Sequence, residues 1–252
     1  KICFPILFNA TSDKMINKQS LLHKSLCLSA ISLIIYCMTL SRSLSWGDSA
    51  DFALRLAVGD QYWDDTPRDY DIFDLILKLF NYLPFSNSAY KANLVSAVFG
   101  SISVGLVTYL AGLVSQSEIT ALLAGLILTF SHTFWLLSVV AEVYTFNLVL
   151  ILATYISLEL YKNSNRGTFL VYAGIFTGLN LSHHSTGLIV MASQLHLIYK
   201  LKMDKRVGAF LLWLIPTVIC GSLYLIRSYQ HLASERPFLE ALGIYRSTNI
   251  LN

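Results

Sequence analysis

The chain has 252 residues, of which 55% are hydrophobic and 13% charged, and its mean hydropathy is +0.57. A soluble domain carries about 25% charged residues, so this composition excludes an ordinary globular protein and fits a polytopic membrane protein. The formal charge of +3 is spread over several loops, which excludes a basic nucleic-acid-binding stripe. The four cysteines show no paired spacing and read as packing residues, neither a disulfide framework nor a metal site.

Taken in order, residues 1–24 form a mixed segment ending in a basic flank at Lys24. An apolar run from Leu26 to Leu40, extendable to Leu44, predicts a retained first membrane helix rather than a cleaved signal peptide. A polar interval follows over 45–91, with eight aspartates from Asp48 to Asp74. Within it Ile72, Phe73, Leu75, Ile76, Leu79, Phe80 and Leu83 recur at helical spacing, which predicts an amphipathic helix on the membrane surface, ended by Pro84. Six further apolar blocks lie at about 93–114, 119–137, 139–161, 168–183, 185–199 and 207–226. The expected fold is therefore all-α, with about seven transmembrane helices over residues 25–230 and a polar tail over 231–252. Lys162, Arg166, Lys200, Lys202, Lys205 and Arg206 fall in two short connections. The positive-inside tendency puts those connections and the N-terminus inside and the acidic interval outside.

In that topology the embedded polar residues gather at the outer ends of the blocks. His132 closes the third and Glu142 opens the fourth. Asn180, His183 and His184 lie between the fifth and sixth, and Arg227 ends the seventh. Asp48 and Asp51 lie at the same level, three residues apart, on one face of a helix start. Ionisable groups at membrane depth are functional candidates; taken one at a time, each also reads as a boundary, capping or snorkelling residue. His132, His183 and His184 do not have the spacing of a zinc motif, so no metal is expected. Polar residues at one surface, rather than at mid-membrane, favour an enzyme over a transporter.

Asp48-Ser49-Ala50-Asp51-Phe52 is similar to a DS-[AG]-E-F loop motif, and Leu83-Pro84-Phe85 with Ala89 to Ala97 to an LPF … AYR-x-NL-x-SA segment. Phe130 to Trp135 with Ala141-Glu142-Val143-Tyr144 is similar to FS-x-TFW … AEVY. Gly178 to Thr186 is similar to GLSLGNHLT, and Tyr224-Leu225-Ile226-Arg227-Ser228 to YLPIRS. In this collinear order the segments resemble a GT-C-type multi-pass membrane glycosyltransferase family, which includes the endoplasmic-reticulum O-mannosyltransferase of plexin-type receptors and bacterial relatives. The likeness implies transfer of a sugar, mannose in the receptor enzyme, from a polyprenyl-phosphate donor to an acceptor hydroxyl on protein or glycan. It implies no other cofactor, and a site facing the lumen or periplasm of the endoplasmic-reticulum or bacterial inner membrane. Carried over, Asp48 is the base and Asp51 positions the acceptor. Glu142 orients the acceptor or a catalytic partner, and His184 and Arg227 contact the donor phosphate.

Two departures stand out. The family's HPPGYPLY stretch is replaced by Thr66-Pro67-Arg68-Asp69-Tyr70-Asp71-Ile72-Phe73, where Arg68 is a substitute phosphate contact, and Asp51 stands for a glutamate. These changes leave a second reading open, a degenerate relative serving as a structural subunit alongside other membrane proteins.

Overall fold

A computed structural model describes residues 16–45, 48–59, 71–85, 87–184, 186–199 and 207–222. The helices, in order, are α1 (Lys18–Met38), α2 (Asp48–Val58), α3 (Asp71–Asn81), α4 (Ser88–Ser115), α5 (Glu118–Phe130), α6 (His132–Val139), α7 (Tyr144–Ser164), α8 (Thr168–His183), α9 (Gly187–Tyr199) and α10 (Val207–Ser222). Among the described residues there is no strand, so the all-α expectation holds. Local chemistry sets several boundaries. Asn17 caps α1 by accepting from the Gln19 and Ser20 N–H groups, Asn87 caps α4 at Tyr90, and Ser117 caps α5 at Thr120. Helices α4 and α7 end on Gln116 and Asn165 in the left-handed conformation, at φ 53° and 55°.

The organising element is α4, a 28-residue helix that packs against α1, α2, α3, α5, α6 and α7. Its small residues allow this. A Cβ on Gly100 would stand 2.4 Å from the Ser138 Oγ of α6, and one on Gly125 of α5 would stand 2.1 Å from the Thr108 Oγ1 of α4. Inside a membrane, where apolar burial drives nothing, such close approach is what holds helices together.

Helix α4 runs antiparallel to α1, with Gly112 against Leu21 and Gly105 against Ser29, and in the same sense as α7, with Ser96 and Ser103 bonded to Glu142 and Thr145, so the bundle has two chemically distinct ends. At one end Lys24 pairs with Glu118, and the Ile16 N–H donates to the Gln116 Oε1 at 3.3 Å. At the other end the Ser41 N–H donates to the Val139 carbonyl at 3.1 Å, and the Trp135 Nε1 donates to the Thr39 Oγ1 at 3.0 Å.

Three differences from the sequence expectation have physical causes. By length and composition three described helices can cross a membrane, α1, α4 and α7, or four if α5 and α6 make one bent span; seven full-length spans are not established. Helix α8, with 16 residues, reaches about 24 Å against a hydrocarbon core of about 30 Å. The third apolar block does not run straight to 137. It breaks at Ser131 with a 63° bend, and residues 140–143 form a non-helical strap before α7 begins at Tyr144. The amphipathic helix α3 docks into the bundle rather than only lying on a surface. Its Phe73 and Leu77 are fully buried against Phe52, Val95 and Phe146, while Leu75, Leu79 and Tyr82 on the other side are exposed. It also stops at Asn81, ahead of Pro84.

Candidate functional site at the acidic end of the bundle

Helix α2 presents Asp48, Asp51, Phe52 and Arg55 at the i, i+3, i+4, i+7 spacing that makes one face. Phe52 anchors that face, buried edge-on against Phe73 with ring centroids 5.0 Å apart, and the Arg55 guanidinium lies 5.6 Å from the Phe52 ring. Arg55 is the hub of a charged cluster. Its Nη2 stands 2.6 Å from the Asp51 carboxylate, and its Nη1 donates to both Asp74 oxygens at 2.9 Å. Arg55 and Asp74 are buried, at 8% and 3% exposure. The two aspartates of the motif are therefore not equivalent. Asp51 is ion-paired, whereas Asp48 is exposed at the helix start.

Glu142 is brought to Asp48 by the strap at 140–143, and α4 fixes that strap with two side chains one turn apart. Asn93, fully buried, accepts from the Ala141 N–H at 2.8 Å and donates to the Ser41 carbonyl at 2.9 Å, joining the strap to the loop before α2. Ser96 accepts from the Glu142 N–H at 2.8 Å and donates to the Glu142 carbonyl at 3.0 Å. The half-buried Glu142 carboxyl is pushed up from its ordinary 4.5 to about 7, first because burial strips water from the charged form and second because the Asp48 charge is near. Near neutral pH the Glu142 carboxyl is therefore about half protonated.

The histidine pair divides its roles. His183 is 1% exposed, donates from Nε2 to the Val143 carbonyl at 3.3 Å, and packs its ring 4.9 Å from Phe146. It pins α8 to the strap. His184 is half-buried, with its ring 5.8 Å from that of Tyr144, two residues past Glu142. Its Nδ1 accepts from the Thr186 N–H at 3.2 Å, which leaves Nε2 as the nitrogen able to donate outward. Behind it the Asn180 Nδ2 donates to the Asn147 Oδ1 at 2.6 Å, and the Asn147 Nδ2 to the Thr186 Oγ1 at 3.0 Å. This chain fixes the turn that carries His184.

Of the residues expected from sequence, Asp48, Asp51, Glu142 and His184 thus share one end of the bundle. Arg68 and Arg227 lie outside the described residues. His132 is exposed at the start of α6, with its ring 6.1 Å from Trp135, and takes a boundary position. Among the described residues no group of three His, Cys, Asp or Glu could hold a metal ion. Sequence reasoning missed Arg55, Asp74, Asn93 and Ser96, although Arg55 four residues after Asp51 was a readable signal. It also missed Arg42, an exposed cation lining a groove of about 770 Å³ together with Leu44, Leu54 and the alanine face of α2.

A bundle of membrane-type helices with a carboxyl pair, an imidazole and a buried arginine–aspartate clamp gathered at one end defines the chain as a multi-helix membrane protein with a polar site at its surface. The chain belongs to the family described as the Protein O-mannosyl-transferase TMEM260 N-terminal domain, whose model matches residues 67–207. It is also 26% identical over 197 residues to the mouse Protein O-mannosyl-transferase TMEM260, a stretch covering 76% of this chain and 28% of that relative. The chain therefore spans little more than a quarter of the relative's length. No solved structure matches it. The family segment contains Glu142, His183 and His184, whereas Asp48 and Asp51 precede it.

Proposed function

We propose that this chain carries the carboxylate-bearing site of a membrane glycosyltransferase that moves a sugar from a polyprenyl-phosphate donor to an acceptor hydroxyl. The relative's name points to mannose and to a protein acceptor. The observation that carries this reading is the Asp48–Glu142 pair, two carboxyls from different elements at one end of a family member's bundle.

In the proposed reaction the acceptor hydroxyl forms a bond to the anomeric carbon while the bond from that carbon to the phosphate oxygen breaks, its electron pair leaving with the phosphate. Asp48, exposed and outside the Arg55 clamp, takes the hydroxyl proton. Glu142, about half protonated near pH 7, donates in its protonated form a hydrogen bond that orients the acceptor. Asp51 acts through Arg55, setting the tilt of α2 rather than touching the acceptor. Hydrogen-bond donors and cations stabilise the departing phosphate charge: His184 donates from Nε2, and Arg227 and Arg68 supply positive charge. The surface carrying the site faces the lumen or periplasm, with the lysine-rich connections on the opposite side of a seven-crossing topology.

The test is transfer of radiolabelled sugar in membranes containing the chain, supplied with either polyprenyl-phosphate-linked mannose or a nucleotide-linked mannose. Transfer from the lipid-linked donor alone supports the reading; transfer from the nucleotide-linked donor alone contradicts it. The altered motif at 66–73 favours one rival, a structural subunit. That rival predicts no transfer from either donor and co-purification with partners at fixed stoichiometry.

A further inference from the structure

The end of the bundle opposite Glu142 contains a cavity of about 490 Å³ that the proposed reaction does not use. Its walls are Leu110 and Val114 of α4, Leu158 of α7, Leu170 of α8, and Leu197 and Ile198 of α9. Helix α9 packs on α8, and beside the cavity the Tyr155 hydroxyl of α7 bonds the Ser193 hydroxyl of α9. The volume and apolar lining are those of a ligand pocket between bundle helices. Water gains little in such a space, because it needs two or more polar partners, and an empty one forfeits the dispersion contacts of its walls. Hydrocarbon fills it best.

The mouth carries the polar information. Lys162, in the last turn of α7, lines the cavity with Glu159, and its ammonium stands 3.2 Å from that carboxylate with the Lys162 side chain 73% exposed. An exposed pair of this kind contributes little and exchanges partners readily. The described connection at this end, 165–167, adds the exposed Arg166. Basic pockets between membrane helices on such a face recognise anionic lipid headgroups. We propose that the cavity holds an acyl chain of one anionic phospholipid, whose phosphate is met by Lys162 at the mouth.

Trp213 reports on this directly, since it packs in one cluster with Leu158, Leu170 and Ile198. With Trp46, Trp63 and Trp135 replaced by phenylalanine, the chain is placed in phosphatidylcholine vesicles carrying a minor share of phosphatidylglycerol. Bromine atoms are placed on the acyl chains of one lipid or the other at equal mole fraction. The expected result is stronger quenching of Trp213 by brominated phosphatidylglycerol, reflecting a preference of about fivefold for one lysine contact. Lys162→Gln should bring the two lipids to parity, and Leu197→Phe should weaken quenching by both. Equal quenching in the unmodified cavity would mean ordinary surrounding lipid and would overturn the proposal. Absence of quenching by either lipid would mean that protein fills the space, and would overturn it as well.

Discussion

Arg55 and Glu142 are the two residues whose surroundings change what the sequence implies. Arg55 is buried between Asp51 and Asp74, and its Nε has no hydrogen-bond partner. Removing the guanidinium takes from the buried Asp74 the group that meets both its oxygens, so Arg55→Met is expected to lower unfolding stability by about 3–5 kcal/mol. Replacing Asp74 as well, in Arg55→Met/Asp74→Leu, should recover much of that loss, because Asp51 remains partly exposed and can be hydrated. Thermal midpoints of the single and double variants in one detergent check this. A double variant no more stable than Arg55→Met would show that the clamp is not the source of the loss.

Glu142 gives a pH signature whose sign follows from its raised value. Below about pH 4.5 both folded and unfolded chains hold the proton. Between about 4.5 and 7 the unfolded chain releases it while the folded chain retains it, so stability falls as pH rises through that window and levels off above 7. Glu142→Gln should abolish this component. Its thermal midpoint should gain on that of the native chain as pH rises from 4.5 to 7. The same two residues show the limit of sequence reading at this scale. Arg55 four residues after Asp51 marks the paired carboxylate locally, but Asp74, the second carboxylate on that arginine, comes from α3 and was not legible in the sequence.

At the scale of elements, α4 does more than cross the membrane. Its Asn93 and Ser96 form the platform on which the 140–143 strap rests, which gives a physical reason for an asparagine and a serine one turn apart in an apolar helix. Asn93→Ala leaves the Ala141 N–H and the Ser41 carbonyl without their partner, at a cost of about 1–3 kcal/mol for the buried Ala141 N–H and less for the part-buried Ser41 carbonyl. Ser96→Ala should cost less, since the Glu142 backbone is only half-buried and water can replace the hydroxyl. The strap itself was not legible from periodicity. The apolar blocks at 119–137 and 139–161 read as two straight helices, because Ser131, His132 and Glu142 are too few to break the hydropathy signal. The amphipathic period of α3 was legible, but not its destination: a helix with apolar residues on two sides can rest on lipid, dock on protein, or, as α3 does, dock with Phe73 and Leu77 while exposing Leu75 and Leu79.

For the whole molecule, the alternation of helices and the two unlike ends were readable from the distribution of charge, because loops, not packing, carry lysines and aspartates. The number of full crossings was not, since hydropathy marks apolar length and ignores where a helix bends or stops. The gathering of Asp48, Glu142 and His184 at one end follows from that alternation, and membership of the TMEM260 family places two of the three within its matched segment. The central claim is that Asp48, free of the Arg55 clamp, is the base. The most direct measurement compares sugar transfer from polyprenyl-phosphate-linked mannose by the native chain, Asp48→Asn and Asp51→Asn, each normalised to folded protein. Loss of a positioned base costs about 10²–10⁴-fold, so Asp48→Asn should lose that much, with Asp51→Asn retaining the larger share of activity. Undiminished transfer by Asp48→Asn, or a greater loss in Asp51→Asn, would contradict it.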